Sequence, residues 1–239
     1  MMLLASGELR KMSATLDHQV QYDLTFSDSK WHLNPLIGKV LRLRYLGAIH
    51  CVQCGRKTSK SFQQGHCFPC MQRINECGNC IIHPERCLVE QGGCPQDDWA
   101  HAHCHADQMV YLSNTSGLKV GVTRASQVPT RWIDQGAMQA IAIFSAQNRL
   151  QAGLLEVALK AFVNDKTNWR TMLKQDSTVL DMQAERDRLL IEAESVIAPI
   201  LSRYDGEIVA LKSQPVHIRF PIDHYLSKIV SHSFDKQDE

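Results

Sequence analysis

The stretch Met109–Arg124, which reads MVYLSNTSGLKVGVTR, decides how the middle of the chain folds. Two short runs of β-type residues, VYL and LKVGVT, flank a polar turn. Because strand-forming runs on either side of such a turn are typical of a hairpin, we predict two antiparallel strands here. A third strand is predicted near AIAIFSA. It is followed by a helix in which apolar residues recur at helical spacing, at Leu150, Leu154, Ala158 and Phe162.

The charge of the chain is nearly balanced overall but is unevenly distributed. With 26 Lys+Arg and 25 Asp+Glu the formal net charge is +1, which argues neither for nor against a polyanionic partner. Between Ser29 and Asn75 there are eight basic residues and no acidic one, namely Lys30, Lys39, Arg42, Arg44, Arg56, Lys57, Lys60 and Arg73. Such a block predicts a local positive face, and the alternative is a solvated strand surface.

The composition is that of a globular protein without a membrane anchor. Hydrophobic residues make up 44% of the 239-residue chain, enough for a buried core. No apolar run approaches the roughly 20 residues that a membrane span needs. The start, MMLLASGELRK, lacks the basic segment that opens a signal peptide. Nine cysteines in a chain without an export signal point to metal binding rather than disulfides, and we predict a cytoplasmic protein.

The first four cysteines have the spacing of a zinc ribbon. They form two C-x2-C pairs separated by twelve residues, at Cys51, Cys54, Cys67 and Cys70. Each pair makes a tight knuckle that points two thiolates at one place, and two knuckles complete a tetrahedral shell of four sulfur ligands. Gly55 follows the first pair, where the backbone of such a knuckle tends towards positive φ. The spacing predicts a structural zinc ion, because a closed thiolate shell leaves no open position for chemistry.

A second zinc site is predicted from the remaining cysteines, with an open choice of ligands. Cys77 and Cys80 form another knuckle, and three further cysteines can supply its partners. We favour Cys77, Cys80, Cys94 and Cys104, with Cys87 as the alternative ligand. Histidines that could substitute are His101, His103 and His105. One or two zinc ions are therefore expected, and their removal should unfold this loop-rich middle.

These features predict an α+β protein with four regions. Residues 1–50 form a small N-terminal antiparallel sheet, residues 51–107 a cysteine-rich zinc-binding insert, residues 108–175 an α/β core, and residues 176–239 a C-terminal helix and strands. The N-terminal sheet is expected to include the alternating run GKVLRLRYLGAIHC, and the terminal strands are expected to complete it. A charged amphipathic helix is predicted over residues 177–198, ending near Pro199.

The order of motifs that begins with the opening hairpin resembles the GIY-YIG nuclease superfamily. The family's first strand carries a GIY-type triplet, matched by Val110–Leu112, and its second strand carries YIG, matched by Lys119–Gly121. The family arginine on the helix after the hairpin is matched by Arg131 in TRWID. The family's helical glutamate and later asparagine are matched by Glu156 in LLEVALKAF and Asn168 in DKTNW. The resemblance implies a GIY-YIG-like α/β core at residues 108–170.

The resemblance also implies a divalent-metal-dependent endonuclease that hydrolyses phosphodiester bonds. Glu156 would hold Mg²⁺ or Mn²⁺, since one hard carboxylate can bind such an ion with waters in its other positions. Arg131 would stabilise charge on the phosphate, Tyr111 would position or deprotonate the attacking water, and Gly121 would let the phosphate approach the strand. Lys119 stands where the family has its second tyrosine. A lysine there can bind phosphate as a point charge but is a poor base.

Each of these residues also has an ordinary structural interpretation. Tyr111 can be a strand aromatic that only fills the core. Glu156 can form an ion pair with Lys160, which lies four residues further along the same helix. Arg131 can pair with the nearby Asp134 on the surface.

Over nearly its whole length the chain also resembles a bacterial zinc-ribbon family of unknown function, through the phrases GHCFPC, CGNC, LKVGVTR, PTRWIDQGA and DKTNWR. Two functions stay open: a nucleic-acid-binding zinc protein with endonuclease activity, and a non-catalytic zinc-stabilised module that binds DNA or RNA or associates with the ribosome. A protein–protein adaptor would leave the basic block without a role. Contacts to nucleic acid are expected from Arg42, Arg44, Arg56, Lys57, Lys60, Arg124 and Asn168.

Overall fold

The computed structural model describes residues 6–27, 29–63, 65–73, 79–94, 98–163, 169–174, 178–225, 227–228 and 230. The strands are β1 (Ser13–Leu16), β2 (Val20–Phe26), β3 (Ser29–His32), β4 (Ile49–His50), β5 (Lys57–Thr58), β6 (Gln108–Asn114), β7 (Leu118–Arg124), β8 (Gln139–Ala146), β9 (Ile208–Ala210) and β10 (Val216–His217). The helices are α1 (Phe68–Met71), α2 (Asn79–Ile82), α3 (Asp98–His103), α4 (Thr130–Asp134), α5 (Arg149–Lys160), α6 (Trp169–Lys174), α7 (Met182–Glu192) and α8 (Glu194–Arg203). Within these ranges no helix combines the length and the apolar character that a membrane crossing requires.

The architecture is the predicted α+β class. Strands β1, β2 and β3 form a small antiparallel sheet near the N-terminus, and a larger sheet follows later in the chain. In the larger sheet β6 pairs with β7 on one side and with β8 on the other, all antiparallel. The turn between β6 and β7 closes with a hydrogen bond from the N–H of Thr115 to the carbonyl of Gly117, at 3.1 Å. The predicted hairpin and third strand are confirmed.

The two faces of the larger sheet bury different sets of side chains. Residues that lie opposite each other in an antiparallel pair point to the same side, so Tyr111 and Gly121 share a face with Ser113 and Lys119. That face packs on α4 and the small sheet, in a cluster with Ala14, Val20, Trp132, Ile133 and Ile218. The opposite face packs on α5, α7 and α8, in a cluster with Val110, Leu112, Phe144, Leu155, Leu159 and Leu189.

Helix α5 covers the second face and begins at a side-chain cap. Oδ1 of Asn148 accepts a hydrogen bond from the N–H of Gln151 at 3.1 Å, which satisfies one free donor of the first turn. The helix is confirmed, but its fully buried residues are Ala152, Leu155 and Leu159. Of the predicted stripe, the residues that are partly buried are Leu154, Ala158 and Phe162. The difference arises because α5 contacts both the sheet and α8, so burial extends beyond one stripe.

The predicted long helix at residues 177–198 is wrong in its extent. Two helices occupy this part of the chain, and they meet at Ala193, which ends α7 and precedes α8. Pro199 lies inside α8 rather than beyond a helix end. The break at Ala193 redirects the chain so that Leu189 before it and Ile197 after it both enter the same core. Packing therefore outweighs the helix-ending tendency of proline here.

The C-terminal strands do not complete the N-terminal sheet as expected. Strands β9 and β10 instead pair with opposite ends of β8, where Ala210 faces Phe144 and Val216 faces Ala140. Of the run GKVLRLRYLGAIHC only Ile49–His50 forms a strand, β4, which pairs with β5 and not with the N-terminal sheet, and Val40 within the run is 98% exposed. Alternation alone does not make a strand, because the backbone must also find a hydrogen-bonding neighbour.

Candidate functional site

Four cysteines come together as the ribbon spacing predicts. The sulfur atoms of Cys51, Cys54, Cys67 and Cys70 all lie within 4.8 Å of one another. Sγ of Cys54 is 3.8 Å from Sγ of Cys67. Four sulfurs arranged tetrahedrally around zinc at about 2.3 Å are separated from one another by about 3.8 Å, so the cluster has the dimensions of a zinc shell. These residues could hold one zinc ion, with all four positions filled by protein.

Local backbone structure brings these sulfur atoms together. Strands β4 and β5 form a short hairpin that carries the first knuckle between them. The N–H of Gly55 donates to the carbonyl of Cys51 at 2.9 Å, and Gly55 adopts φ +68°, a conformation that glycine tolerates well. The second knuckle begins where Cys67 precedes α1, and its N–H donates to Sγ of Cys51 at 3.2 Å. The two knuckles thus contact each other through a backbone-to-sulfur hydrogen bond.

The surroundings of the cluster favour the thiolate form of Cys51 but oppose ionisation of Cys70 beside it. Burial works against ionisation of Cys51, but hydrogen bonds from the backbone at Cys67, Cys54 and Gln53 outweigh it and lower the pKa to about 6. Hydrogen bonding to Cys67, followed by burial and the thiols of Cys54 and Cys51, raises the pKa of Cys70 to about 12. A cation is needed to hold four sulfur charges together, and zinc is an ion that could supply the charge here.

A second group of cysteines gathers around Cys94. Burial, and then the neighbouring Cys87 and Cys104 thiols, raise the pKa of Cys94 to about 11. Its sulfur shares a hydrogen bond with Cys87 and lies 3.8 Å from Nε2 of His105. Cys77 of the favoured ligand set lies outside the described residues. Among the residues that the structure describes, only the first four cysteines have all their sulfur atoms within 4.8 Å of one another.

Of the other histidines, His103 stacks on Trp99 with ring centroids 4.3 Å apart, and the ring of His101 is 5.2 Å from that of His105.

Tyr111 lies at the centre of a polar cluster in the core. Its side chain is 0% exposed, and its hydroxyl donates a hydrogen bond to Oε1 of Gln135 at 2.7 Å. The ring packs against Trp132, with centroids 5.8 Å apart. The guanidinium of Arg131 also hydrogen bonds to the hydroxyl, and the charge of Glu156 acts on it. Strand β6 and helix α4 therefore bring Tyr111 and Arg131 into contact, whereas Glu156 on helix α5 acts on the hydroxyl through its charge.

The environment of Tyr111 keeps its hydroxyl protonated. Burial, together with the negative charge of Glu156, outweighs the opposing effects of Arg131 and Gln135 and raises the pKa to about 12. Near neutral pH the phenol is therefore a hydrogen-bond donor, and the phenolate form that could accept a proton is almost absent.

Gly121 makes room for Tyr111. A Cβ built on Gly121 would lie 2.7 Å from both Cζ and Oη of that tyrosine, a distance that real Cβ atoms do not show. The space beside Gly121 is thus filled by the buried ring of Tyr111. The sequence led us to expect a phosphate there instead.

We expect Gly121→Ala to destabilise the fold by about 1–3 kcal/mol, because the added methyl group must displace the tightly packed Tyr111 ring. Urea unfolding measures this change. The matched control is the same substitution in a Tyr111→Leu background, where the clashing atoms are gone and the additional penalty should fall below about 1 kcal/mol. An equal penalty in both backgrounds would mean that the ring is not what the methyl group meets.

Lys119 and Arg124, the other residues of the core predicted to bind phosphate, lie on opposite faces of the larger sheet. Lys119 shares the sheet face of Tyr111. Arg124 lies on the opposite face, where its Nη1 is 3.5 Å from the carbonyl oxygen of Ala102. Burial, together with the charge of Arg149, lowers the pKa of the Arg124 guanidinium. The structure therefore places Lys119, but not Arg124, on the same face as the Tyr111 cluster.

Of the two ion pairs predicted as ordinary structural roles, one forms and the other does not. Oε1 of Glu156 lies 3.2 Å from Nζ of Lys160, the expected helical pair. Asp134, however, pairs with Lys11 at 2.7 Å rather than with Arg131. The basic residues of the N-terminal half are exposed at Arg42, Arg44, Arg56, Lys57 and Lys60. Asn168 lies outside the described residues.

Two residues that make contacts around these clusters were not predicted from the sequence. Gln135 binds the Tyr111 hydroxyl from the end of α4. Arg149 fastens the cysteine-rich region to α5, because its Nη2 donates to the carbonyl of Ile81 at 2.6 Å. A polar residue just after the family arginine was the available signal for Gln135. The sequence offers no comparable signal for Arg149.

A separate cavity of about 630 Å³ lies between the small sheet, α4 and the C-terminal tail. Its walls are mainly apolar and include Leu36, Ile133, Phe220 and Ile222. Neither the cysteines nor Tyr111 line it, so the cavity is distinct from both clusters.

Comparison with known proteins adds a family but no activity. Residues 38–239, more than four-fifths of the chain, match the family described as Protein of unknown function (DUF2797). No curated protein and no solved structure matches the chain. The resemblance to a family of unknown function is compatible with this match, whereas the resemblance to GIY-YIG nucleases stays a prediction. The chain belongs to the DUF2797 family.

Proposed function

We propose that this protein binds nucleic acid through the exposed basic residues of its N-terminal half and cleaves phosphodiester bonds in a GIY-YIG-like core. The observation that supports the proposal most is that the hydroxyl of Tyr111 is hydrogen-bonded by Arg131 from helix α4 and lies within reach of the charge of Glu156 on helix α5. These are three of the residues that the family resemblance selects. A cation and a carboxylate placed together beside a phosphate site supply the charges that phosphodiester hydrolysis requires.

Arg131 and Lys119 have distinct roles in the proposed reaction. Arg131 is exposed while its guanidinium is anchored by Tyr111, so it can offer its remaining N–H donors to a phosphate. Lys119 adds positive charge on the same sheet face. Tyr111 is buried and protonated, so we assign it as a positioning residue that holds Arg131 and Gln135 rather than as a base.

Glu156 is the residue that would hold a divalent cation in this proposal. Its side chain is 13% exposed and its carboxylate is already paired with Lys160, so the lysine competes with an incoming ion. A single carboxylate meets the needs of Mg²⁺ or Mn²⁺ when waters fill the other positions. When bound, the ion would stabilise negative charge on the phosphate.

The basic surface supports the binding half of the proposal. Arg56, Lys57 and Lys60 are exposed on the first zinc ribbon, and Arg42 and Arg44 precede it. Exposed cations of this kind bind the phosphate backbone of DNA or RNA without reading its sequence, and such binding weakens as salt rises. Four thiolate ligands also need a reducing compartment, which fits a cytoplasmic location.

A non-catalytic nucleic-acid-binding module is the second candidate, and two observations favour it. Lys119 occupies the position of the family's second tyrosine. The ion pair between Glu156 and Lys160 occupies the carboxylate that would hold the metal. In this alternative the arginine and lysine would bind phosphate while no hydrolysis follows.

The test compares binding and cleavage in the same preparations. We expect the wild-type protein to nick supercoiled DNA or cut RNA with Mg²⁺ or Mn²⁺, and Glu156→Gln and Arg131→Ala to reduce cleavage by about 100-fold or more. Binding by Glu156→Gln, measured by fluorescence anisotropy, should stay within a few-fold of wild type. Each phosphate contact removed by Arg56→Ala, Lys57→Ala or Lys60→Ala should reduce the slope of log affinity against log salt by roughly 0.9 on duplex DNA.

The matched controls are an exposed acidic residue and an exposed basic residue that do not belong to the proposed site. Asp187→Asn and Arg219→Ala change side chains that are 60% and 73% exposed, and both should leave cleavage unchanged. Salt-sensitive binding without any cleavage of DNA or RNA would select the non-catalytic candidate. Absence of binding to every polynucleotide at low salt would contradict both.

A further inference from the structure

We propose that Cys80, Cys87, Cys94 and Cys104 bind a second structural zinc ion, which fastens the cysteine-rich segment to helix α5. The ligand class is four thiolates, as at the first site, and the set includes Cys87 in place of Cys77. This proposal concerns metal content and folding, so it stands independently of whether the protein binds or cleaves nucleic acid.

The four cysteines lie on four separate short turns. Cys80 is in α2, and Cys87 follows a single 3-10 turn at Pro84–Arg86. Cys94 comes after Gly92, which has φ +69°, and Cys104 directly follows α3. In the described parts of this segment, residues 79–94 and 98–104, no strand forms and the α-helices have only four and six residues. Helices this short are unstable alone, so an additional interaction must order them.

These turns place their thiols near one another but at wider spacing than in the first cluster, so a zinc ion would draw the four sulfurs together. The sulfur of Cys94 shares a hydrogen bond with Cys87 and lies close to Cys104 and Cys80. Cys87 and Cys104 are buried, at 8% and 5% exposure. The side chain of His105 approaches Cys94 from outside, at 3.8 Å. Its N–H can then donate to a metal-bound sulfur, as outer groups commonly do at zinc sites.

Two contacts on α5 lie beside these cysteines and show what the ion would secure. The N–H of Arg149 donates to the carbonyl of Cys104 at 2.8 Å, and its guanidinium binds the carbonyl of Ile81, the residue after Cys80. One turn further on, a Cβ at Gly153 would come within 2.7 Å of Cβ of Pro84. The backbone before Cys87 therefore lies directly against the helix. Zinc held by these cysteines would fix both contacts, and α5 is the helix that carries Glu156.

The choice of Cys87 over Cys77 distinguishes this set from the one that sequence spacing favours. Spacing favours Cys77 because it forms a C-x2-C knuckle with Cys80. In the structure Cys87 is buried and bonded to Cys94, and the Pro84–Arg86 turn that precedes it packs on α5. Burial and contact with another thiol are what a structural ligand requires, and spacing alone does not report them.

The test measures zinc per chain in the purified full-length protein. We expect about two equivalents in the wild type and in Cys77→Ser, and about one in Cys87→Ser. Cobalt substitution provides a second readout, because tetrahedral thiolate sites give strong visible absorption, which should be roughly halved in Cys87→Ser. One equivalent in the wild type, or loss of one equivalent in Cys77→Ser with two retained in Cys87→Ser, would overturn the assignment.

A variant that keeps a ligand guards against misfolding of the serine variant. Cys87→His retains a metal-binding side chain, so it should hold about two ions while the cobalt absorption at this site changes to that of a shell with three sulfurs and one nitrogen. If Cys87→His binds two ions and leaves the cobalt spectrum unaltered, residue 87 is not a ligand and the assignment fails.

Discussion

Replacing Cys67 with serine is expected to release one zinc ion per chain and to unfold the ribbon around residues 49–71. Little else holds this segment together. Among its described residues, 49–63 and 65–71, the regular structure amounts to two-residue strands and one short helix, and the buried residues are Cys51, Cys67 and His66. The four-cysteine cluster therefore takes the place of a hydrophobic core, and a bound zinc ion would be what stabilises it. Structural zinc sites contribute about 10–16 kcal/mol of apparent binding free energy near neutral pH, so loss of one ligand should abolish local order.

Zinc content and limited proteolysis together check this expectation. Gln53→Ser is the matched control, because Gln53 lies between Cys51 and Cys54 in the same knuckle and is exposed. The control should keep its zinc and resist protease as the wild type does. Cys67→Ser should be cut within the ribbon while the larger sheet keeps its signal in circular dichroism. A full zinc complement in Cys67→Ser would rule out the four-cysteine shell.

The second large effect is expected in the core. Leu155→Ala should lower the free energy of unfolding by about 2–5 kcal/mol, since it removes a fully buried side chain where α5 meets the sheet. Leu155 belongs to the same cluster as Leu112 and Val120, and these strand residues cannot move to fill the space without disturbing the hairpin. The measurement is urea unfolding, with the midpoint and the slope compared with those of the wild type.

Val157→Ala on the same helix provides the control for Leu155→Ala. Val157 is 50% exposed, so its truncation should change stability by about 0.5 kcal/mol or less. Alanine also has the higher helix propensity, which removes any concern that the control weakens the helix itself. Equal losses in the two variants would show that α5 does not pack through the Leu155 side.

The sequence predicted those parts of the fold whose signals are local. The hairpin at Tyr111 and Gly121, strand β8 and helix α5 follow from periodicity and turn residues, and the structure contains all three. The tail was placed on the wrong sheet because β9 and β10 are only three and two residues long. So few residues carry no pattern that selects a partner, and the partner is set by what β8 leaves unpaired.

The candidate site, too, was predicted where its signals are local and missed where they depend on contacts between distant segments. The C-x2-C spacing predicted the first cysteine cluster, because two knuckles twelve residues apart have few other uses. The order of Arg131 and Glu156 behind the hairpin suggested that both act at one site with Tyr111, but not that Tyr111 would be buried with Gln135 as its acceptor. Burial depends on the small sheet packing over α4, a contact between segments more than a hundred residues apart. Periodicity within one segment contains no information on such contacts.

The pairing of β8 has a consequence for how the chain avoids association with itself. Its sequence, QAIAIFSA, is uncharged and rich in strand-forming residues, which is the composition of segments that stack into aggregates. On the edge away from β6, the N–H of Leu211 donates to the carbonyl of Ile143, and the N–H of Ile218 donates to that of Met138. The last strands thus occupy an edge that would otherwise accept another copy of the chain. A polypeptide that stops before Ile208 would present this edge open, so the nascent chain stays vulnerable to aggregation until its end has been synthesised.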